Sequence, residues 1–587
     1  MTASFLALVA LLGSQGSEGT LPVDLVDNGR FEEAAFPAAG EDTGAAWWRV
    51  RAGAPERGAD GGVRTSAADV LDQPLAVYTP LVDRLELGGR VEGRGLLELA
   101  GAADEVLAAR EVEGEFRWRP EGIPGGRLSL RLRGIEGAAP ALWLEVRASV
   151  ALPAPREAEL RQELEIAAWE IIEEWRKRGR DDFGPRSTLF MAFDFDAFSG
   201  RRSAPMRNVG LHPFHVELLE WYSQGSSTGR SALGRTLELF LDNWFEFALH
   251  PTTGLPRQWD PVEDEPVDTR FVEIALGLRF LLDAAEHGPD GYRERALLAA
   301  RKIGDTVLAH GVLPDGSVAA SYRPSDGTPA PHSVPLRSLD VPAELARLGA
   351  LVDEPRFVAA AREAVLTLDY LHSWPATPRK IDPGFDDNYG HYGARSVVMW
   401  KHHPDDPVFR ELALSGYRRY APLLDRLLGL GGYVAADQVR CWRIFTDVAA
   451  LEPELARETP RLLWRAARNH FKGQQGDAGA WLDVTQENYE PVSNLPVGDL
   501  GGLPQNLLEG LAHLAHPRSG LSAAEREALR AMFTAVWRSS REAYRGPYGY
   551  IFEARRRTGE DAYNSASGSL RLLPALIDML AALQGDE

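Results

Sequence analysis

The spacing of apolar residues changes near residue 153 and divides the chain into two parts. Within residues 21–153, apolar and polar side chains alternate in several segments, for example in residues 126–133 and 141–147. A period of two is typical of strands that bury one face, and glycine and proline separate these segments at the spacing of a sandwich. The first part is therefore predicted to be a β-sandwich.

Beyond a short Pro-rich joint at residues 153–155, the apolar residues follow the period of an α-helix. Residues 157–178 place Leu160, Leu164, Ile171 and Trp175 on one stripe, which is the pattern of a helix that packs on one side. Further segments of this kind continue in pairs to residue 583. They predict a second domain of helical hairpins, and the short joint predicts that the two domains pack together.

The connections between the predicted helices alternate in length. Short ones at residues 353–355 and 403–406 contrast with long ones that carry glycine, proline, aspartate and aromatic residues. The long connections are residues 179–211, 251–268, 312–336, 373–387, 473–503 and 545–564. Because every second connection is long, we expect the long loops to meet at one end of a ring of hairpins, and compact domains keep such loops mainly for function.

Two of the long loops carry short motifs. Residues 254–260 are Gly-Leu-Pro-Arg-Gln-Trp-Asp, and residues 315–322 are Asp-Gly-Ser-Val-Ala-Ala-Ser-Tyr. With the hairpins, they resemble the (α/α)-toroid carbohydrate-active enzymes, which include six-hairpin glycosidases, polysaccharide lyases and epimerases. The resemblance implies an (α/α)6 or (α/α)7 toroid at residues 153–587 as the catalytic domain, with a cleft at the end that bears the long loops. It identifies no single family.

The beginning of the predicted sandwich has a motif of its own. Residues 26–33 are Val-Asp-Asn-Gly-Arg-Phe-Glu-Glu, and Trp47 and Trp48 follow. This stretch resembles the entry of jelly-roll carbohydrate-binding modules of the galactose-binding type, which implies a jelly roll at residues 20–152. Trp47, Trp48 and Trp118 could stack on sugar rings or fill the core. The predicted fold class is thus multidomain, β followed by α.

Residues 4–13 form an apolar run of signal-peptide length, and small residues follow it. This run predicts a signal peptide at residues 1–19 and a secreted or periplasmic protein. No Lys or Arg precedes Arg30, so an ordinary buried segment remains the alternative. No other stretch is apolar enough to predict a transmembrane helix.

Composition narrows the partners and cofactors. The formal net charge of −21, without a sustained basic run, argues against nucleic acid or an anionic membrane as the main partner. Cys441 is the only cysteine, which excludes intramolecular disulfides, thiolate zinc sites and iron–sulfur clusters. The resemblance implies a carbohydrate substrate and leaves the oligomeric state open.

No cofactor and no metal site is predicted, although two acidic loops could hold calcium. These are the loop with Asp194 and Asp196 and the loop at residues 263–265. The histidine pairs at residues 212 and 215 and at residues 513 and 516 have zinc-compatible spacing but lack a visible third ligand.

The densest group of reactive side chains precedes and begins a predicted helix at residues 388–402. Asp386 and Asp387 are followed by Tyr389, His391 and Tyr392, at the end where the helix dipole is positive. Hydrolysis of a glycosidic bond needs two carboxyl groups, and the Asp386–Asp387 pair resembles the adjacent acids of toroidal mannanases. One of these aspartates could instead serve only as a helix cap.

Adjacent side chains on a helix diverge by about 100°, so the second acid must come from another loop. Asp260 is the first candidate, and Asp194, Asp196, Glu487 and Glu553 are others. The predicted catalytic residues are Asp387, Asp386, Asp260, His391 and Tyr392. The predicted substrate-binding residues are Trp259, Arg257, Tyr322, Tyr389, Asp194 and Arg395.

The alternative to a glycoside hydrolase is a lyase or epimerase that acts on a uronate-containing glycan. Such a reaction needs a base, a proton donor and a cation that neutralises the uronate, and His391, Tyr392 and Arg395 supply these types. Arg257, Arg270 and Arg323 lie in or beside the same set of loops. The net charge of −21 is unfavourable for a polyanionic substrate, so hydrolysis is the first prediction. A non-catalytic glycan-binding protein is the third hypothesis.

Overall fold

The computed structural model describes most of the chain in separate ranges. They are residues 20–26, 48–57, 62–77, 84–101, 104–124, 126–183, 219, 227–260, 265–330, 339–367, 393–421, 424, 439, 441–473, 500–501, 505–543, 545–546, 549–550, 554–555 and 566–584. The predicted signal peptide and most of the jelly-roll motif lie outside these ranges.

Strands at the N-terminal end form one antiparallel sheet. They are β1 (Thr20–Asp24), β2 (Arg49–Ala52), β3 (Glu56–Arg57), β4 (Val63–Thr65), β5 (Val70–Val77), β6 (Leu85–Ala100), β7 (Val106–Trp118), β8 (Gly126–Gly134) and β9 (Ala141–Pro153). The long strand β6 pairs with β7 along one edge, and with β9 and then β8 along the other. Since β6 changes partner midway, the strands beyond it separate into a β9–β4–β3 group and a β8–β5–β2 group. The predicted β domain is confirmed at this level, and its jelly-roll topology stays a prediction.

The core of the β domain is built from the alternating residues of the strands around one tryptophan. Leu87 and Leu97 of β6 are fully buried, as is Trp143 of β9. The Trp143 indole Nε1 donates a hydrogen bond to Thr65 Oγ1 at 2.9 Å. Gly95 lies against the indole, where a Cβ atom would come within 2.5 Å of the ring. Position 95 therefore requires glycine because a side chain would clash with Trp143, and not because of its backbone angles.

The tryptophans proposed for sugar stacking have different positions. Trp48 is 1% exposed and belongs to the core, so it fills the interior and presents no ring face to a ligand. Trp118 is partly buried and packs against the same core. Trp47 lies outside the described residues.

The second part of the chain is helical, as its periodicity predicts. The helices are α1 (Glu157–Phe183), α2 (Ser227–Asn243), α3 (Ala275–His287), α4 (Arg293–His310), α5 (Asp340–Val352), α6 (Pro355–Thr367), α7 (Ala394–His402), α8 (Pro407–Tyr420), α9 (Trp442–Leu451), α10 (Thr459–Gly473), α11 (Gln505–Ala515), α12 (Ala523–Ala543) and α13 (Ala566–Gln584). A π-helical turn, Trp244–Ala248, extends α2. Short β-hairpins lie between several of the helices.

The helices form two layers. The inner helices α3, α5, α7, α9, α11 and α13 contact one another in that order. In α11 every residue except Glu509 is buried, and in α5 residues 341–349 are buried; a helix buried all round belongs to the interior of a large protein. The helices that follow them form the outer layer and keep an exposed face, as Leu298 of α4 shows with 59% exposure.

The end of the chain returns to its first helix. Helix α1 contacts α13, and Arg161 of α1 donates to the Leu583 carbonyl oxygen at 2.9 Å. Arg538 and Arg541 of α12 both pair with Glu163 of α1, at 3.2 and 3.1 Å. Successive hairpins that return to their beginning are the arrangement expected of an (α/α) toroid. Residues 184–226, which decide between six and seven hairpins, lie mostly outside the described ranges.

The β domain packs on the outer helices. Strand β5 contacts α10, and strands β1 and β9 contact α12. Arg468 of α10 also donates to the Val26 carbonyl oxygen at 3.4 Å. Within the described ranges, no helix has the length and apolar character needed to cross a membrane.

Candidate functional site

Six long intervals of the chain lie between the end of an outer helix and the beginning of an inner one. Six intervals of this kind are residues 249–274, 311–339, 368–393, 421–441, 474–504 and 544–565, whereas the opposite turns, such as residues 353–354 and 403–406, are short. The inner helices α5 and α7 begin at the same end, because Asp340 at the beginning of α5 pairs with Arg395 at the beginning of α7. The long loops therefore adjoin the N-terminal ends of the inner helices.

Backbone pairing joins the two loops that carry the sequence motifs. Strand β10 (Gln258–Asp260) forms a hairpin with β11 (Glu265–Val267), in which Trp259 lies opposite Pro266 and Asp260 lies opposite Glu265. The next strand, β12 (Val272–Glu273), pairs with β13 (Ser321–Tyr322) of the following long loop. The predicted convergence of these two loops is thus present in the fold. The side chains of Trp259 and Asp260 lie outside the described part.

Arg257, a predicted substrate-binding residue, holds its own loop together. Its Nε donates to the Phe247 carbonyl oxygen at 2.7 Å, and its Nη1 lies 3.5 Å from Asp268 Oδ2. The side chain is 14% exposed. His250 Nε2 lies 3.9 Å from the same Asp268 Oδ2. Burial lowers the pKa of His250, although the negative charge of Asp268 opposes this shift. Arg257 therefore links both ends of the loop that carries Trp259 and Asp260.

Tyr322, also predicted to bind substrate, is fully buried. Its phenol lies against Gly311 at the end of α4, where a Cβ atom would come within 1.9 Å of the hydroxyl. Burial raises the pKa of the phenol, and the hydroxyl has no hydrogen-bond partner among the described residues. Because the ring has no exposed face on which a sugar could stack, its contribution in this conformation is packing.

Arg395, the third described residue of the predicted binding set, is an ion-pair partner. Its Nε donates to Asp340 Oδ1 at 2.6 Å, and its Nη1 lies 3.9 Å from Glu344 Oε1. The pair joins the first turns of α5 and α7 at the end that bears the long loops. The Arg395 guanidinium therefore lies beside two carboxylates of this chain, Asp340 and Glu344.

Below this pair, a second arginine joins α5 to α3. Arg347 Nη2 donates to Asp283 Oδ1 at 2.5 Å and also to Glu286 Oε2. Its Nη1 lies 3.7 Å from Glu344 Oε2, and Arg279 lies 3.7 Å from Asp283. Charged residues at positions 279, 283 and 286 of α3 and 340, 344 and 347 of α5 thus face each other as two stripes. Their spacing of three and four residues is readable in the sequence, and sequence reasoning missed it.

The inner helices on the other side of the ring also present polar residues. Arg443 and Asp447 of α9 and Glu509 of α11 are partly exposed on helices that are otherwise mostly buried. His513 of α11 is 2% exposed, and burial lowers its pKa well below the ordinary value, with Arg443 acting in the same direction. Asp447 and Glu509 are therefore additional carboxylates on the inner layer that the sequence analysis did not single out.

Most of the predicted catalytic residues lie outside the described ranges. These are Asp386, Asp387, His391 and Tyr392, and the predicted binding residues Tyr389 and Asp194 lie outside as well. The same is true of Asp196 and of residues 263 and 264 in the possible calcium loops. Over the described residues, no group of three or more metal-ligating side chains is arranged to hold an ion.

No family model and no curated protein sequence matches this chain. Among solved structures, an α-1,2-mannosidase from Trichoderma reesei is 12% identical and has a TM-score of 0.47, over 73% of this chain and 93% of that chain. A sugar epimerase from a ruminal bacterium is 12% identical with a TM-score of 0.42, over 73% and 98%. A family 76 glycoside hydrolase from a bovine Bacteroides thetaiotaomicron strain is 12% identical with a TM-score of 0.35, over 82% and 99%. These values are too low to assign the chain to a family.

Proposed function

We propose that this protein is a carbohydrate-active enzyme, specifically a glycoside hydrolase that cleaves a neutral polysaccharide or oligosaccharide. The fold supports the proposal because six long intervals lead into the N-terminal ends of the inner helices, where a cleft can form between them. The β10–β11 hairpin brings Asp260 into this set of loops, and the loop that carries Asp386 and Asp387 leads directly into α7.

The pairing of the arginines is the observation that favours hydrolysis over uronate chemistry. Of the four arginines that a uronate-binding site would use, three are paired with an aspartate of this chain. Arg395 pairs with Asp340 at 2.6 Å, Arg323 with Asp326 at 3.1 Å and Arg257 with Asp268 at 3.5 Å; Arg270 is exposed beside them. A uronate carboxylate would have to compete with these aspartates, whereas a neutral sugar needs no cation.

In the proposed reaction, two carboxyl groups from different loops act on the glycosidic bond. One protonates the leaving oxygen, while the other activates water or attacks the sugar directly. Asp386 or Asp387 is proposed for one role and Asp260 for the other. His391, Tyr392, Tyr389, Trp259 and Asp194 are proposed to bind and orient the sugar.

The β domain and the N-terminal segment complete the proposal. We propose a jelly-roll module that supports glycan binding, and export of the protein by a signal peptide at residues 1–19. Trp48 and Trp143 of the sheet are buried in its core, so a glycan contact would come from other side chains than these two. No cofactor is required by this chemistry.

A panel of glycans tests the proposal. Purified protein is incubated with neutral and uronate-containing polysaccharides, and both reducing ends and the ultraviolet absorbance of an unsaturated uronate are measured. We expect reducing ends from a neutral glycan without the absorbance. Absorbance with a uronate polymer would establish the lyase instead. No product with any polymer, together with measurable binding, would favour the glycan-binding protein.

Replacement of the acids tests the assignment of roles. On the substrate found in the panel, Asp387→Asn or Asp386→Asn should lower kcat by at least the roughly 10²- to 10⁴-fold that general acid–base catalysis supplies. Asp405→Asn, an exposed aspartate in the short turn at the opposite end, is the matched control and should be fully active. Thermal unfolding of each variant separates a catalytic loss from a lost helix cap. Full activity in both variants would move the site to other loops.

A further inference from the structure

A closed cluster of charged side chains lies between α3, α5 and α7. Its carboxyl groups belong to Asp283 and Glu286 of α3 and to Asp340 and Glu344 of α5, and its guanidinium groups belong to Arg279 of α3, Arg347 of α5 and Arg395 of α7. With every group ionised, four negative charges face three positive ones. The cluster would then hold one uncompensated negative charge inside the ring.

Glu344 is the member with the weakest pairing. It is 1% exposed, and its two oxygens lie 3.7 Å from Arg347 and 3.9 Å from Arg395. Both separations exceed hydrogen-bond distance, and Oε2 has no hydrogen-bond partner among the described residues. The same arginines make short contacts with the other acids, at 2.5 Å to Asp283 and 2.6 Å to Asp340. The cations are thus closest to the other carboxylates, and Glu344 is left as the odd acid.

Among the described residues, no cation other than Arg347 and Arg395 lies within 4 Å of Glu344. Burial, followed by the nearby Arg347, lowers the pKa of His402 on α7 to about 4, so this histidine is neutral at pH 7. His403 Nε2 lies 2.8 Å from the Ala346 carbonyl oxygen. Gly304 of the outer helix α4 lies against Leu348 of α5, and the apolar Val358 of α6 lies against Gly349 of α5.

We propose that Glu344 carries a proton at neutral pH, so that the cluster is electrically neutral, and that its ionisation at alkaline pH weakens the contact between α3, α5 and α7. A buried ionised carboxylate without a close partner is unfavourable, and such a group takes up a proton instead. Burial raises the pKa of Glu344 although Arg347 and Arg395 oppose the shift, in agreement with the geometry. The inner ring thus contains a pH-sensitive element.

Glu286 of the same cluster has the opposite behaviour. Burial opposes its ionisation, but the paired Arg347 holds its pKa below the ordinary value of 4.5. A lowered folded-state pKa stabilises the protein above pH about 4.5, and this stability is lost as the pH falls. A raised folded-state pKa, as in Glu344, stabilises the protein in acid, and this stability is lost as the pH rises above about 4.5 through the folded-state value. Glu344 and Glu286 can therefore be compared directly, because they belong to one cluster and their pKa values are shifted in opposite directions.

The experiment compares Glu344→Gln and Glu286→Gln with the wild type in thermal unfolding from pH 4 to pH 10. Glutamine keeps the shape of a protonated glutamate. We expect Glu344→Gln to match the wild type at pH 4 and to melt at an equal or higher temperature at every higher pH, with the difference growing as the pH rises. Glu286→Gln should melt below the wild type at pH 7 and approach it at pH 4.

Infrared spectroscopy gives a second measurement that needs no comparison of stabilities. The wild type at pH 7 should show the carbonyl band of a protonated carboxyl group, which disappears in Glu344→Gln, remains in Glu286→Gln and titrates away at alkaline pH. The proposal is overturned if the wild type lacks this band, or if Glu344→Gln loses as much stability at pH 7 as Glu286→Gln. If Glu344→Gln does not fold, the wild-type band and its titration decide the question.

Discussion

Arg347 is the residue whose removal should disturb the helical ring most clearly. Its side chain is 8% exposed and contacts Asp283 at 2.5 Å, Glu286 at hydrogen-bond distance and Glu344 at 3.7 Å. Arg347→Met keeps most of the apolar stem and removes the guanidinium. Asp283, which is 5% exposed, would then lose its closest cation. Removal of one partner from a buried ion pair typically costs about 3–5 kcal/mol.

The cost also has an upper bound. A carboxylate that loses its partner can bind a proton instead, and for a carboxyl group of ordinary pKa this costs about 4 kcal/mol at pH 7, at about 1.4 kcal/mol per pH unit. The cost should therefore saturate near about 4 kcal/mol. With an unfolding entropy of about 2.1 cal/mol/K per residue over the whole of residues 157–587, the melting temperature should fall by about 4–5 °C.

Calorimetry at pH 7 and at pH 3.5 provides the assay. The deficit of Arg347→Met should shrink in acid, because Glu286 has a lowered pKa in the folded wild type and that stabilisation disappears as the pH falls below about 4.5. The matched control is Arg410→Met on the outer layer, where a 49% exposed arginine pairs with Glu452 at 2.5 Å. Exposed pairs contribute about 0–1 kcal/mol.

Two results would refute this account. If Arg347→Met were as stable as Arg410→Met at pH 7, the inner cluster would contribute no more than a surface pair. If the deficit were the same at pH 3.5 as at pH 7, it would arise from lost packing of the side chain and not from unpaired carboxylates.

Three further predictions concern other parts of the fold. Gly311→Ala should lower the free energy of unfolding, measured in urea, by about 1–3 kcal/mol because the added methyl group overpacks against Tyr322. The second substitution Tyr322→Phe should restore part of that loss, and an absence of rescue would contradict the contact. Asp69→Asn should lower stability by about 1.5–3 kcal/mol, because the Asp69 carboxylate accepts hydrogen bonds from the Ala54 and Ser66 backbone N–H groups at 2.7 and 2.6 Å. These bonds hold the pKa of Asp69 below 3.8 although burial opposes them, so the loss should be complete at neutral pH and shrink below pH about 3.8; a pH-independent loss would argue against them. Residues 153–587 expressed alone should melt at a lower temperature than the full chain, because α10 and α12 lose their contacts with the sheet; an unchanged melting temperature would show that the β domain is an independent appendage.

The period of the apolar residues was sufficient to predict the two structural classes and the change between them near residue 153. A strand or helix that buries one face imposes its own period on neighbouring positions, so this information is local. The alternation of long and short connections likewise predicted that the loops adjoin one end of the inner helices. The extent of each helix was less determined: the helical stripe predicted at residues 157–178 belongs to a helix that continues to Phe183.

The roles of single polar residues depended on the tertiary structure. Arg395 follows the predicted catalytic stretch and is predicted to bind substrate, and the structure adds its ion pair with Asp340, which is 55 positions away. Tyr322 belongs to a loop motif, and its ring is buried because β13 pairs with β12 beneath the end of α4. The charged stripes on α3 and α5 are visible in the sequence, but only the register between the two helices decides which charges meet. Ion pairing and burial are properties of such distant contacts, and periodicity along the chain carries no information about them.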